Sequence, residues 1–329
     1  MSTKDAIEVY YRVSTRVFCR KNKKMWRSFI FMHEFGPEVL EETVNEMVNS
    51  HGIGDLMVDT SEPANRSKAF VCTQRAHDQG TPVRFRTYEP PTKTDVSSDT
   101  LASEDSVYFS PTSQNLSSVI DLCLPAKSDP WNDYRDIRIW EAARATTAAP
   151  SYFPPMKIIR GNETRSFIDG AMGCNNPGFE LVDEAVALYG KERVVGCFLS
   201  LGTGSLGPLT VGEGKGLRGL IDLIKFMKGL ATDSQKVHLG LKSQIPSDTY
   251  FRFQLPSGAE KIRLHQYKKL DELSRLMDEY IEQESSEIDK VVDILMSNSS
   301  SRSFTLGDIG ESSFLLPGTS FTIYRVDLD

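Results

Sequence analysis

The run from Val194 to Leu201, VVGCFLSL, constrains this chain more than any other segment: it is apolar at almost every position, as strands buried on both faces of a parallel sheet are. Upstream, Phe167 and Ile168 end a short buried strand. Between the two, Leu181, Val182, Ala185, Val186, Leu188 and Tyr189 recur on one helical face, and Gly190 stops that helix. Strand, helix and strand in this order predict a βαβ unit with a right-handed crossover. The expected fold class is therefore α/β, with a mostly parallel sheet covered by helices in three layers.

The stretch Ser166 to Pro177 (SFIDGAMGCNNP) is where pattern becomes chemistry. Asp169 closes a strand and is followed at once by Gly170, Ala171 and then Gly173, the makings of a tight turn. In open α/β sheets ligands bind at the carboxyl ends of strands, so an acid placed there is a candidate catalytic group. An Asp before Gly also commonly holds a turn or caps a helix. The residues of the stretch alone leave the two readings even.

The rest of the chain narrows the class. Its 329 residues and 39% hydrophobic content suffice for a sizeable core. A formal net charge of -7 disfavours nucleic acid as a partner. Five cysteines, Cys19, Cys72, Cys123, Cys174 and Cys197, are scattered and never spaced C-x-x-C, which argues for a reducing interior and against a disulfide framework or zinc site. The five histidines are too dispersed for a metal centre or a Ser-His pair, so no metal and no cofactor is expected. No signal-peptide pattern and no membrane-length apolar run is present. A cytoplasmic protein, peripheral at membranes if anywhere, is the expectation.

Ala6, Tyr10, Val13 and Val17 predict an opening amphipathic helix, and a second is expected over 37–47. The basic run Arg20, Lys21, Lys23, Lys24 and Arg27 with Trp26 reads as cations solvated at the end of the first helix, with contact to an anionic membrane as the alternative. Short β-type runs at 69–73 and 83–86 predict neighbouring strands. Residues 89–128 lack periodicity and are expected to be a disordered surface insertion. Helices are expected over 137–148, 217–231, 270–281 and 288–296, with a strand over 250–255. Residues 1–297 are expected to form one domain and 298–329 a Ser-rich tail.

The blocks flanking Asp169 are similar to those of the patatin-like phospholipase family. IWEAARATTAAP at 139–150 resembles that family's Ala-rich helix and Ala-Ala-Pro step, and FLSLGTG at 198–204 its following strand and Gly-Thr-Gly turn. They frame Asp169, Gly170 and Ala171 as its Asp-Gly-Gly/Ala motif. The resemblance implies a three-layer patatin-like fold and hydrolysis of lipid acyl esters by a Ser-Asp dyad, with Asp169 as proton acceptor. It also implies a Gly-rich oxyanion turn and a Gly-x-Ser-x-Gly nucleophile elbow, and the sequence contains neither. Ser205 and Ser320 sit in imperfect Gly contexts, both after Asp169, and are poor nucleophile candidates.

By the same resemblance Met1 corresponds to a point inside a longer domain, just past the nucleophile, so central strands of the sheet are expected to be missing. The chain is then expected to be a partial lipid acyl hydrolase, inactive as given, whose partners are a lipid ester or membrane surface and a missing N-terminal segment. The alternative is a non-catalytic homologue that binds lipid or a protein.

Overall fold

A computed structural model describes residues 2–27, 32–50, 54–58, 67–77, 82–90, 134–150, 152–202, 234–255, 262, 266–297 and 303–310. The expected insertion at 89–128, the helix at 217–231, Ser205, Ser320 and most of the Ser-rich tail lie outside them or nearly so. Helix α1, Thr3–Val17, starts in a capping box: the Asp5 N–H donates to Ser2 Oγ (3.2 Å) and the Ser2 N–H to Asp5 Oδ2 (2.9 Å). Strands β1, Lys23–Arg27, and β2, Met32–Phe35, pair antiparallel and lead into α2, Glu38–Ser50. Leu40, Val44 and Val48, one helical turn apart, bury with Val17, Phe35 and Phe153. The basic run thus differs from its expected setting: α1 already ends at Val17, and Lys23–Arg27 is strand backbone.

Four strands make the larger sheet: β3, Phe70–Arg75; β4, Val83–Arg86; β5, Met156–Arg160; and β6, Glu163–Asp169. Their order is β4-β3-β6-β5 and every pairing is antiparallel. The β5–β6 hairpin turns through Gly161 and Asn162, with Gly161 at φ +57°, a left-handed conformation that suits the twist of a tight hairpin. Helix α3, Ile139–Thr146, lays Ala142 and Ala145 on this sheet, and the small side chains let it approach Phe85, Ile158 and Phe167, all fully buried. Phe85, Tyr134 and Phe167 meet edge to face at 5.3–5.9 Å between ring centres.

A single helical turn, α4, Ala171–Cys174, follows β6 and leads into α5, Gly178–Tyr189. Beyond it come β7, Phe198–Gly202; α6, Gln235–Gln244; and β8, Tyr250–Gln254, which pairs parallel with β7. Val182 of α5, Leu241 and Ile245 at the end of α6, Phe198 and Tyr250 form a second core, completed by Leu306 and Ile309. Helices α7, Leu270–Gln283, and α8, Ser285–Met296, close the described chain before residues 303–310.

The α/β class stands, but the mostly parallel sheet is corrected for the described strands. Parallel pairing is confined to β7–β8, and β6 and β7, expected as the two strands of one βαβ unit, lie in different sheets. Two of the antiparallel pairs join strands that follow each other closely in the chain, β3 with β4 and β5 with β6, a connection too short for any parallel crossover. The run ending in β7 is also not buried on both faces. Phe198 and Ser200 turn inward, whereas Leu199 is 40% and Leu201 72% exposed.

Candidate active site

Asp169 is held from three sides. Its backbone partner across the sheet is Thr73, whose hydroxyl donates to the Ile168 carbonyl at 2.7 Å. Its own N–H donates to the carbonyl of Ala148 at 3.1 Å, so the Ala-Ala-Pro step and the Asp-Gly-Ala turn, apart in sequence, meet in space. Its Oδ1 accepts the Ala171 N–H at 2.8 Å, the turn-holding bond that the Asp-Gly sequence allows. Among the described residues no cation pairs with the carboxylate. Burial pushes its pKa up, and the Ala171 bond opposes that only in part.

Gly170 has a packing reason to be glycine. A Cβ there would stand 2.3 Å from the Cys72 carbonyl oxygen of β3, closer than a side-chain carbon can approach. That same carbonyl accepts the Thr146 hydroxyl at 2.6 Å, which ties the end of α3 to the strand. Gly173 is likewise pressed on Gln74, with a virtual Cβ 2.5 Å from Nε2. The turn after Asp169 therefore lies flush on β3.

Gly170 and Ala171 line a crevice of about 530 Å³ between β3 and β7. Phe70 and Cys72 form one wall, Leu199 and Leu201 the other, with Leu181 of α5 between. The outward face of β7 is apolar because it faces this crevice, which accounts for a hydrophobic run that only one buried face would not require. The crevice has the size of a small-molecule site and is lined by apolar side chains with Asn176, Ser200 and Lys68 among them. Ser200, at the same strand, also borders it, but its hydroxyl accepts from Arg252 Nη1 at 2.6 Å and no histidine or carboxylate in the described residues bonds it.

An ion cluster clamps α5 beside the crevice. Arg84 and Arg86 of β4 reach Glu184 at 2.8 and 2.7 Å, Arg84 also bonds Glu180, and the Tyr88 hydroxyl donates to Glu184 at 2.6 Å. Burial alone would raise the Glu184 pKa, but the bonds from Arg86, Tyr88 and Arg84 outweigh it and hold the carboxyl down at about 2. The sequence did not single these residues out, since their pairing is between elements almost a hundred positions apart. No group of three or more His, Cys, Asp or Glu able to hold a metal occurs among the described residues. None of the described helices is long and apolar enough to cross a membrane.

A half-buried carboxylate thus ends β6 next to a crevice in an α/β framework, a candidate site at a strand end. The chain belongs to the patatin-like phospholipase family, whose sequence profile matches residues 2–182, more than half its length. It is 34% identical over 160 residues to calcium-independent phospholipase A2-gamma of Oryctolagus cuniculus, and equally to that of Homo sapiens; each match covers 48% of this chain and 20% of the relative. Phospholipase A I of Arabidopsis thaliana is 25% identical over 238 residues, 71% of this chain and 17% of that protein. The chain thus spans about a fifth of the length of these relatives.

Proposed function

We propose that this chain carries the proton-accepting half of a patatin-like lipid acyl hydrolase site, with Asp169 as the base and the crevice beside Gly170 and Ala171 as the seat of the lipid ester. In the reaction a serine hydroxyl attacks the ester carbonyl while its proton passes to the Asp169 carboxylate, and the leaving alcohol takes that proton back. The observation that carries the reading is the placement of a partly desolvated carboxylate, with no cation partner among the described residues, at the end of β6, one residue from the crevice. Its raised pKa is the direction a carboxylate needs to serve as a base. The substrate class is a phospholipid or acylglycerol presented at a membrane surface, in keeping with the phospholipase names of the relatives.

The serine and the oxyanion donors come, on this reading, from a segment outside the present sequence that contributes central strands to the sheet. In its favour, β7 has a strand partner on one side only among the described residues, and the sequence lacks a Gly-x-Ser-x-Gly elbow. The chain by itself is then inactive. The second reading is that it has no catalytic role at all and binds lipid or a protein partner in the cytoplasm or at a membrane; the same missing elbow favours it.

The purified chain should leave short-chain nitrophenyl esters intact and take no fluorophosphonate at any serine, yet bind phosphatidylcholine vesicles saturably. Stoichiometric labelling of one serine would show that the nucleophile lies within this sequence, and absence of lipid binding would remove the lipid reading. In a longer form that hydrolyses ester, Asp169→Asn should abolish turnover while sparing vesicle binding, because Asn keeps the shape but cannot accept the proton. Retained turnover would remove Asp169 from the mechanism and return it to the role of a turn-holding residue.

A further inference from the structure

Cys72 and Cys174 are far apart in sequence and serve no part in the chemistry above, yet their side chains meet. Cys72 sits on β3, buried to 8% exposure, and Cys174 ends α4. The close fit at Gly170 and Gly173 presses α4 onto β3: a Cβ on Gly170 would stand 3.3 Å from the Cys72 Cβ, and Cys174, whose N–H donates to the Gly170 carbonyl at 2.8 Å, lies one helical turn on, beside Cys72. Both residues line the crevice, so a small solute that enters it reaches the pair. The two roles differ. Contact with Cys72 and burial together raise the pKa of Cys174, whereas contact with Cys174 lowers that of Cys72. Cys72 is thus the better nucleophile and Cys174 the thiol poised beside it.

We propose that Cys72 and Cys174 form a redox-sensitive pair that closes to an intramolecular disulfide across the floor of the crevice when a peroxide enters it. In the first step the Cys72 thiolate attacks one peroxide oxygen, the O–O bond breaks, and Cys72 becomes a sulfenic acid as hydroxide leaves. In the second, the Cys174 sulfur attacks the Cys72 sulfur and displaces the hydroxyl; with the thiol proton, the products are one disulfide and, overall, two waters from hydrogen peroxide. The peroxide is the two-electron oxidant. The new bond staples α4 to β3, and with it the turn of Asp169, Gly170 and Ala171 that borders the crevice. A cross-link between positions so distant in the chain restricts the unfolded state strongly, so it should show as a higher melting temperature.

The test uses the reduced chain treated with a small excess of hydrogen peroxide. Peptide mapping under non-reducing conditions should find Cys72 joined to Cys174, with Tm raised by several degrees and restored by dithiothreitol. In Cys174→Ser the second step is blocked, and Cys72 should be captured by dimedone as its sulfenic acid. Mapping that finds both cysteines still as thiols, or joined to other cysteines, would overturn the proposal. An unchanged Tm in a chain shown to carry the 72–174 bond would overturn the stapling. Because the mapping is done on the unmodified sequence and needs no lipid or turnover, its outcome is independent of the hydrolase reading.

Discussion

At the scale of single residues, Asp169 holds a turn and is desolvated at once. Because burial raises its folded pKa above the ordinary value of 3.8, this group contributes stability that is complete below that value and is lost as pH rises through the folded value. Asp169→Asn should keep the Ala171 bond through its amide oxygen and remove the buried charge. We expect the variant to match or exceed the parent in denaturant midpoint at pH 7, with any advantage disappearing below about pH 3.8. A variant clearly less stable at pH 7 would show that the charge is compensated by groups beyond the described residues. Gly170→Ala is the contrasting change. Its Cβ would meet a backbone carbonyl, which cannot swing away as a side chain does, and the cost should be about 3 kcal/mol. Urea unfolding measures it, and a loss under about 1 kcal/mol would mean that the turn is free to move off β3.

At the scale of elements, α5 is positioned by two different forces. Val182 buries into the second core, while Glu184, 3% exposed, is held by Arg84, Arg86 and Tyr88 of the neighbouring sheet. Since the folded pKa of Glu184 lies at about 2 against an ordinary 4.5, its contribution is present above the ordinary value and lost as pH falls toward the folded one. That interval corresponds to about 3 kcal/mol. Glu184→Gln should cost about 3 kcal/mol at pH 7, because it leaves two guanidinium groups short of their shared carboxylate, and should flatten the loss of stability between pH 4.5 and 2. Equal acid sensitivity in parent and variant, read from thermal melts across that range, would place the titrating group elsewhere.

Across the whole molecule, two of the three sheets among the described residues, the four-stranded antiparallel one and the two-stranded parallel one, border the crevice from β3 and β7. Strand β7 has an unpartnered side among the described residues and shows Leu199 and Leu201, and an open edge beside apolar side chains invites association. We expect the chain expressed alone to be oligomeric or poorly soluble, and Leu201→Lys to shift it toward monomer by size exclusion with light scattering. A monodisperse monomer with a cooperative calorimetric transition from the parent chain would mean that the sheets are complete without further strands.

Much of the architecture was legible in local pattern. The periodic apolar positions predicted α1, α2, α3, α5, α7 and α8 to within a few residues, Gly190 marked the end of α5, and the two β-type runs at 69–73 and 83–86 pair as neighbours. Helical and strand periods are properties of adjacent residues, so they survive without tertiary knowledge. Strands β1, β2 and β5 and helix α6 were not anticipated. The basic run of β1 has no alternation to betray a strand, and β5 alternates over only five residues with Lys157 and Arg160 among them. Asp169 could be singled out from its Asp-Gly-Ala turn and flanking blocks, but whether it held a turn or faced a ligand could not, and the structure has it hold the turn beside a crevice. The apolar run of β7 misled as to the direction of the sheet, because Leu199 and Leu201, which border the crevice, give it the composition of a strand covered on both faces. The crevice, the Ala148 contact to Asp169, the Arg–Glu clamp and the meeting of Cys72 with Cys174 all depend on which distant segments pack together. Local sequence therefore set the elements and the candidate acid, through propensities and turn chemistry that act over a few residues, while only the tertiary packing decided pairing direction, burial and the charge environment of the site, because those arise from contacts between residues that the chain brings together only when it folds.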